Sequence, residues 1–153
     1  MDYTLHPATP EHLRAVLHWI ATAEDLRLWG GPLITFPPDA QKTWREIGAD
    51  GGNTFVLFDA EGNTAGFGQV LPREPGTAHL GRIIVSPLLR GQGVGRALVE
   101  QLIAAALERH HPEQITLNVY TYNTPALELY RSLGFTITAE DAGHASYAMS
   151  LRV

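Results

Sequence analysis

Cysteine is missing from all 153 residues, and that absence narrows the chemistry before any motif is read. Without it there is no disulfide framework, no thiolate metal site and no acyl-cysteine intermediate, so any group transfer has to be direct. A broad basic field is missing too, because 11 Lys and Arg stand against 16 Asp and Glu, for a formal charge of -5. That balance disfavours a nucleic-acid partner and is easier to reconcile with an amine-bearing small molecule or peptide. No apolar run is long enough to span a bilayer, and Met1 to Pro7 carries neither a basic nor an apolar leader pattern. The expectation is therefore a soluble, untargeted, cytoplasmic protein with no membrane partner. Repeats, low-complexity tracts and interdomain linkers are absent, and the histidines stand in no metal-ligand motif, so no metal is expected. A chain of this length buries about two thirds of its unfolded surface, which suits a single domain over 1–153.

What is present centres on Val85-Ser86-Pro87-Leu88-Leu89-Arg90-Gly91-Gln92-Gly93-Val94-Gly95-Arg96-Ala97-Leu98. It reads as an apolar strand ended by a proline, then a glycine-rich bend that opens into a helix. Glycine at alternate positions removes every second side chain, so several backbone N–H groups can face one small volume. The helix N-terminus adds partial positive charge there, which favours a phosphate or diphosphate. A P-loop needs Lys and then Ser or Thr after its last glycine, and Arg96-Ala97 follow Gly95. A dinucleotide fingerprint needs glycine where Arg96 stands and an acid ending the next strand, whereas Glu113 precedes that strand.

A second element runs from Leu117 to Phe135. Thr124 suits an N-cap and Pro125 a first helical position, and Ala126, Leu129, Tyr130 and Leu133 recur at helical spacing before Gly134 ends the turn. Tyr130 is therefore expected on a buried face. Elsewhere the pattern predicts a short strand over 3–6, a helix from Thr9-Pro10 with Leu13, Val16, Leu17 and Ile20 as its stripe, and a helix over 39–47. Residues 23–39 read as a long aromatic loop, because Trp29-Gly30-Gly31-Pro32 and Phe36-Pro37-Pro38 are breakers. Strands are expected over 54–59, 64–71 and 78–85, a helix over 94–109, and further strands around 115–119, from 135, and over 145–151. Gly66 and Gly68 imply a bulge or a close backbone approach. Strand, helix and strand across 78–119 should form a parallel right-handed crossover.

The Arg-Gly-x-Gly-x-Gly bend after Val-x-Pro, together with Asn123, the Tyr130 helix and Gly134-Phe135, resembles the GCN5-related N-acetyltransferase (GNAT) family. The resemblance implies an α/β fold, a mixed, twisted, mostly antiparallel sheet with helices on both faces. It implies acetyl-coenzyme A as cosubstrate, with main-chain groups of Ile83, Ile84 and Val85 along its pantetheine arm and the Val85 N–H facing the oxyanion. Arg90, Gly91, Gln92, Gly93, Val94, Gly95 and Arg96 would hold its diphosphate. Asn123 is either a further cofactor contact or a helix-entry residue. Tyr130 matches the family's proton donor to the departing thiolate.

The base is where this chain departs from the family pattern. Some members carry Glu where His79 stands and others where Asn118 stands; Asn118 cannot take a proton, whereas imidazole can. Glu24 and Asp25 either bind a cationic acceptor, with Trp29 beside them as a further acceptor contact, or work as a base through a water chain, and a site without a dedicated base is the remaining alternative. The implied activity is direct acetyl transfer to a primary amine of a small molecule, peptide or protein. The alternative is a non-catalytic acyl-coenzyme A sensor, and a nucleotide-binding module comes third. Exposed closing strands leave room for a homodimer.

Overall fold

Short capping signals decide where the helices begin. Thr22 accepts from the Asp25 amide at 3.0 Å and Asp39 from the Lys42 amide at 2.9 Å, each satisfying a first-turn donor that the helix leaves without a partner. The computed structural model describes residues 2–153. Its elements in chain order are β1 (Thr4–Pro7), α1 (Pro10–Leu17), α2 (Ala23–Gly30), α3 (Ala40–Glu46), β2 (Thr54–Phe58), β3 (Thr64–Pro72) and β4 (Thr77–Val85). Then follow α4 (Val94–His110), β5 (Gln114–Tyr120), α5 (Thr124–Ser132), β6 (Thr136–Asp141) and β7 (Ser146–Arg152). The strands form one mixed sheet in the order β1-β2-β3-β4-β5-β7-β6, and β4 with β5 is its parallel pair, flanking α4 in sequence as a crossover requires.

Three of the expectations need correction, the smallest being that α1 ends at Leu17 and leaves Ile20 beyond it. Residues 23–30 are helix, not loop: the breakers at Gly30-Gly31-Pro32 end α2 but do not prevent it, because Thr22 caps it and Leu26 is fully buried. The cap of α5 is Asn123, one residue before Thr124, and it accepts from the Ala126 amide at 3.4 Å.

The chain divides into two compact units. The first comprises residues up to Gln69 together with Arg82–Gln101. Here β1 pairs antiparallel with β2 and β2 with β3, over a core of Leu13, Val16, Leu17, Leu26, Ile47, Val56 and Phe67. Gln101 on α4 secures β1 by accepting from the Leu5 amide and donating to the Tyr3 carbonyl, both at 2.8 Å. Gly66 is where backbone and helix come closest, because a Cβ there would lie 3.1 Å from Leu98 Cδ2 and 3.3 Å from the Ile84 carbonyl oxygen. Gly66→Val is therefore expected to cost about 1–3 kcal/mol through overpacking, read as a lower urea midpoint at unchanged slope.

The second unit comprises Val70–Gly81 and Leu102–Val153. Thr77–Leu80 of β4 pair in parallel with Gln114–Leu117 of β5, and β5 pairs antiparallel with β7 along its whole length. Ile115, Leu117 and Val119 alternate as the buried side of β5, leaving Thr116 and Asn118 on the other. That alternation is the period-two signature of a strand with one buried face. The edge strand β6 pairs with β7, and all six of its residues are exposed.

Candidate active site

In the first unit β4 ends at Val85, and the Ser86 amide donates to the Ala65 carbonyl at 2.9 Å, fixing the chain's exit onto β3. A single 3-10 turn follows over Pro87–Leu89, and Arg90 is extended. Gly91 and Gly93 then adopt φ of 80° and 81°, the left-handed region that a side chain at Cβ disfavours. Nothing lies within 4 Å of a Cβ built at either, so these glycines answer to backbone conformation and to whatever approaches from outside. Helical bonding in α4 starts with the Ala97 amide donating to the Gly93 carbonyl at 3.1 Å. The amides of Val94 and Gly95 therefore belong to the first turn, which has no intrahelical acceptors. Gln92 and the side chains of Arg90 and Arg96 are exposed around this bend. The donor set, first-turn amides beside two exposed guanidinium groups, fits the chemistry of a diphosphate.

Ile83, Ile84 and Val85 lie half-buried in the same unit. Immediately before them Arg82 takes φ of 48°, in the left-handed region. Its carbonyl accepts from Trp29 Nε1 at 2.8 Å, so Trp29 is held to the strand at the point where these three residues begin. The indole also packs on Phe67 with ring centroids 5.9 Å apart. Glu24 and Asp25 occupy the first turn of α2 and are exposed; Glu24 lies 3.9 Å from Arg27, an ion pair too open to water to contribute much.

In the second unit Tyr130 is only 7% exposed and packs edge-on against Phe135, with centroids 6.0 Å apart. Burial pushes its phenol up to about 12. His79 and Asn118 line one pocket of about 480 Å³ along with Arg73, Glu74, Thr116 and Thr138. Tyr130 does not line this pocket. His79 and Thr116 are register partners across the parallel pair, and His79 Nδ1 lies 2.8 Å from Thr116 Oγ1. Where Nδ1–H donates to the hydroxyl, Nε2 keeps the lone pair that a base needs. Asn123 spends its side-chain oxygen on capping α5. Among the described residues no group of three or more His, Asp or Glu is arranged to hold a metal ion, and no helix is long and apolar enough to cross a membrane.

Sequence reasoning passed over Thr116 and Arg82. Thr116 had a signal, since it alternates with buried Ile115 and Leu117 on the strand expected to lie beside that of His79. Arg82 had none, because arginine carries no preference for a left-handed backbone.

Comparison with known proteins gives the same direction. The model of the acetyltransferase (GNAT) family matches residues 13–135. Streptothricin acetyltransferase of Streptomyces lavendulae is 33% identical over 131 residues, which cover 76% of this chain and 69% of that protein. Among solved structures, nourseothricin acetyltransferase is 34% identical with a TM-score of 0.56, over 65% of this chain and 64% of that one. Spermidine N-acetyltransferase from Vibrio cholerae, solved with CoA and spermine, gives a TM-score of 0.78 over 98% of this chain and 95% of that one. At 20% identity the last is a likeness of fold alone.

Proposed function

Since the chain belongs to the acetyltransferase (GNAT) family, we propose that residues 1–153 act as one N-acetyltransferase domain. It passes an acetyl group from acetyl-coenzyme A directly to a primary amine of a small molecule or peptide. The observation that carries this reading is the bend at Arg90–Arg96, with Gly91 and Gly93 left-handed and open to approach at the start of α4. Gly91, Gln92, Gly93, Val94, Gly95 and Arg96 hold the donor's diphosphate, with Arg90 adding charge. Main-chain groups of Ile83–Val85 bind the pantetheine arm as an added strand would.

Acetyl transfer makes three demands on the protein. The amine must be neutral when it attacks, yet a lysine-like amine is neutral only about once in 10³ near pH 7, a deficit of roughly 4 kcal/mol. Desolvation and a base share that burden, and His79, beside Thr116 in the pocket they both line, takes the proton. The oxyanion needs a donor, and the Val85 N–H serves. The departing sulfur needs a partner, and the Tyr130 hydroxyl supplies it. Glu24, Asp25 and Trp29 meet the acceptor on the side of α2, where two carboxylates suit a cation. Both names carried by the more similar relatives, streptothricin and nourseothricin acetyltransferase, agree with an amine-bearing small molecule as acceptor.

A panel of primary amines, assayed by release of free thiol and by an acetyl mass increment on the amine, tests the activity. Amine-dependent thiol release is expected; tight acetyl-coenzyme A binding with no release for any amine would instead fit a sensor. His79→Gln tests the base. H79Q removes the proton acceptor and should lose about 10²-fold in kcat with acetyl-coenzyme A affinity unchanged. Wild-type turnover in H79Q would remove His79 from the reaction.

A further inference from the structure

The residue before the donor-binding segment is held by an unusual set of contacts. Arg82 has a left-handed backbone inside a strand, which is costly for a residue other than glycine. Its side chain and its carbonyl are both engaged. Arg82 Nε donates to the Gly30 carbonyl at 3.0 Å, its Nη1 donates to Gln69 Oε1 at 2.8 Å, and its carbonyl accepts from Trp29 Nε1 at 2.8 Å. Gln69 is fully buried, and its amide nitrogen donates to the Ile47 carbonyl at 3.2 Å and to Thr54 Oγ1 at 3.0 Å. Because a guanidinium is a donor only, it fixes which end of the Gln69 amide faces it. One residue thus ties the last turn of α2, the middle of β3 and the start of Ile83–Val85 together.

We propose that Arg82 is a positioning residue for acetyl transfer, a clamp that sets the main-chain direction of Ile83–Val85 and holds α2 in register with it. This rests on the reading of the chain as an amine acetyltransferase. In a regular strand successive peptide groups alternate, and a left-handed residue breaks that alternation, so the peptide groups after it point where a plain strand would not send them. The amide of Val85, assigned to the oxyanion, lies three residues beyond this turn. On the other side, the Trp29 and Gly30 contacts fix the end of the helix that carries Glu24 and Asp25. The clamp therefore serves the donor segment and the acceptor side through a single side chain and a single carbonyl, and it touches neither the thioester nor the amine.

The test compares Arg82→Met, Arg82→Lys, Arg82→Gly and Trp29→Phe in steady-state kinetics, with coenzyme A affinity from calorimetry. R82M keeps an unbranched stem and loses the donors. Its kcat should fall about 10- to 100-fold, the loss that slight misplacement of reacting groups brings. Coenzyme A affinity should fall by less than kcat does, since only the pantetheine contacts of Ile83–Val85 are disturbed and the diphosphate bend is a separate set of contacts. R82K supplies one point donor in place of a planar fork and should fall between wild type and R82M. R82G accepts the left-handed backbone without strain but removes the clamp, and it should lose as much turnover as R82M. W29F keeps the ring on Phe67 and loses one hydrogen bond; read as kcat at saturating amine, so that acceptor binding drops out, it should cost about fivefold and combine with R82M for less than the product of the two losses. Turnover in R82M and R82G equal to wild type, or a multiplicative double variant, overturns the clamp alone. Loss of coenzyme A binding in step with turnover places Arg82 in the fold and also overturns it. A wild-type protein that releases no thiol with any amine overturns the underlying reading and the clamp with it.

Discussion

Gly93→Val should remove most of the affinity for acetyl-coenzyme A while leaving the fold nearly as stable. The two effects separate because of what surrounds Gly93. Its φ of 81° is left-handed, so a β-branched residue pays a torsional cost of about 1–2 kcal/mol. No atom lies within 4 Å of a Cβ placed there, so no packing clash adds to it. With ligand present the balance changes. The new side chain stands on the open side of the amides of Val94 and Gly95, where the diphosphate is proposed to sit, and the turn relaxes away from the geometry that aims them. Loss of one or two charge-assisted hydrogen bonds is expected to weaken the Kd at least about 30-fold, near 2 kcal/mol. Gly93→Asn separates the causes, because asparagine tolerates a left-handed backbone. It should unfold close to wild type yet bind acetyl-coenzyme A nearly as weakly as G93V. Calorimetric titration and thermal unfolding of the two variants decide the matter; wild-type affinity in G93V would free the bend of its assigned role.

Tyr130→Phe should lower kcat about 10²-fold with coenzyme A affinity unchanged. No hydrogen bond to the Tyr130 hydroxyl is formed among the described residues, and the ring contact with Phe135 survives the substitution, so the fold loses little. The same burial defines how the hydroxyl works. A phenol near 12 opposite a thiol near 8.5 makes complete proton transfer uphill by roughly 5 kcal/mol. In the role proposed for it, Tyr130 would donate a hydrogen bond to the departing sulfur without giving up its proton, and its own ionisation would set no alkaline limb below pH 10. Its stability consequence has a definite sign. The unfolded phenol ionises near 10 and the buried one near 12, so above pH 10 the unfolded state binds fewer protons and stability falls as pH rises through that window. Y130F should flatten that fall. Full turnover in Y130F would show that the sulfur leaves unaided.

The conformation of the candidate site was legible where local backbone chemistry dictates the answer. Three alternating glycines after Pro87 announce a bend whose conformation side chains oppose, and Gly91 and Gly93 are left-handed there. Gly66 announces a close approach, which Leu98 and Ile84 supply. Tyr130 announces its buried face through its spacing from Ala126 and Leu133. By contrast, α2 was hidden by its own ending. The breakers after Trp29 dominate the reading, although Thr22 followed by Asp25 is a capping signal and Leu26 with Trp29 an apolar i, i+3 pair. The Arg82 network was not legible at all, because its partners Gly30 and Gln69 lie 52 and 13 positions away in sequence and no residue type forecasts the kink.

The grip of residues Arg90–Arg96 on the donor's diphosphate is tested most directly by calorimetric titration of wild-type protein with acetyl-coenzyme A and, in parallel, with acetyl-pantetheine. The second ligand keeps the thioester and the arm and lacks the diphosphate together with the adenosine 3′-phosphate attached to it, so ADP, which carries the diphosphate without the arm, is titrated as the third ligand and should still bind. Saturable heat with acetyl-coenzyme A and binding weaker by at least about 10² with acetyl-pantetheine is the expected result. Equal affinity for the first two ligands, or no heat with acetyl-coenzyme A, contradicts it.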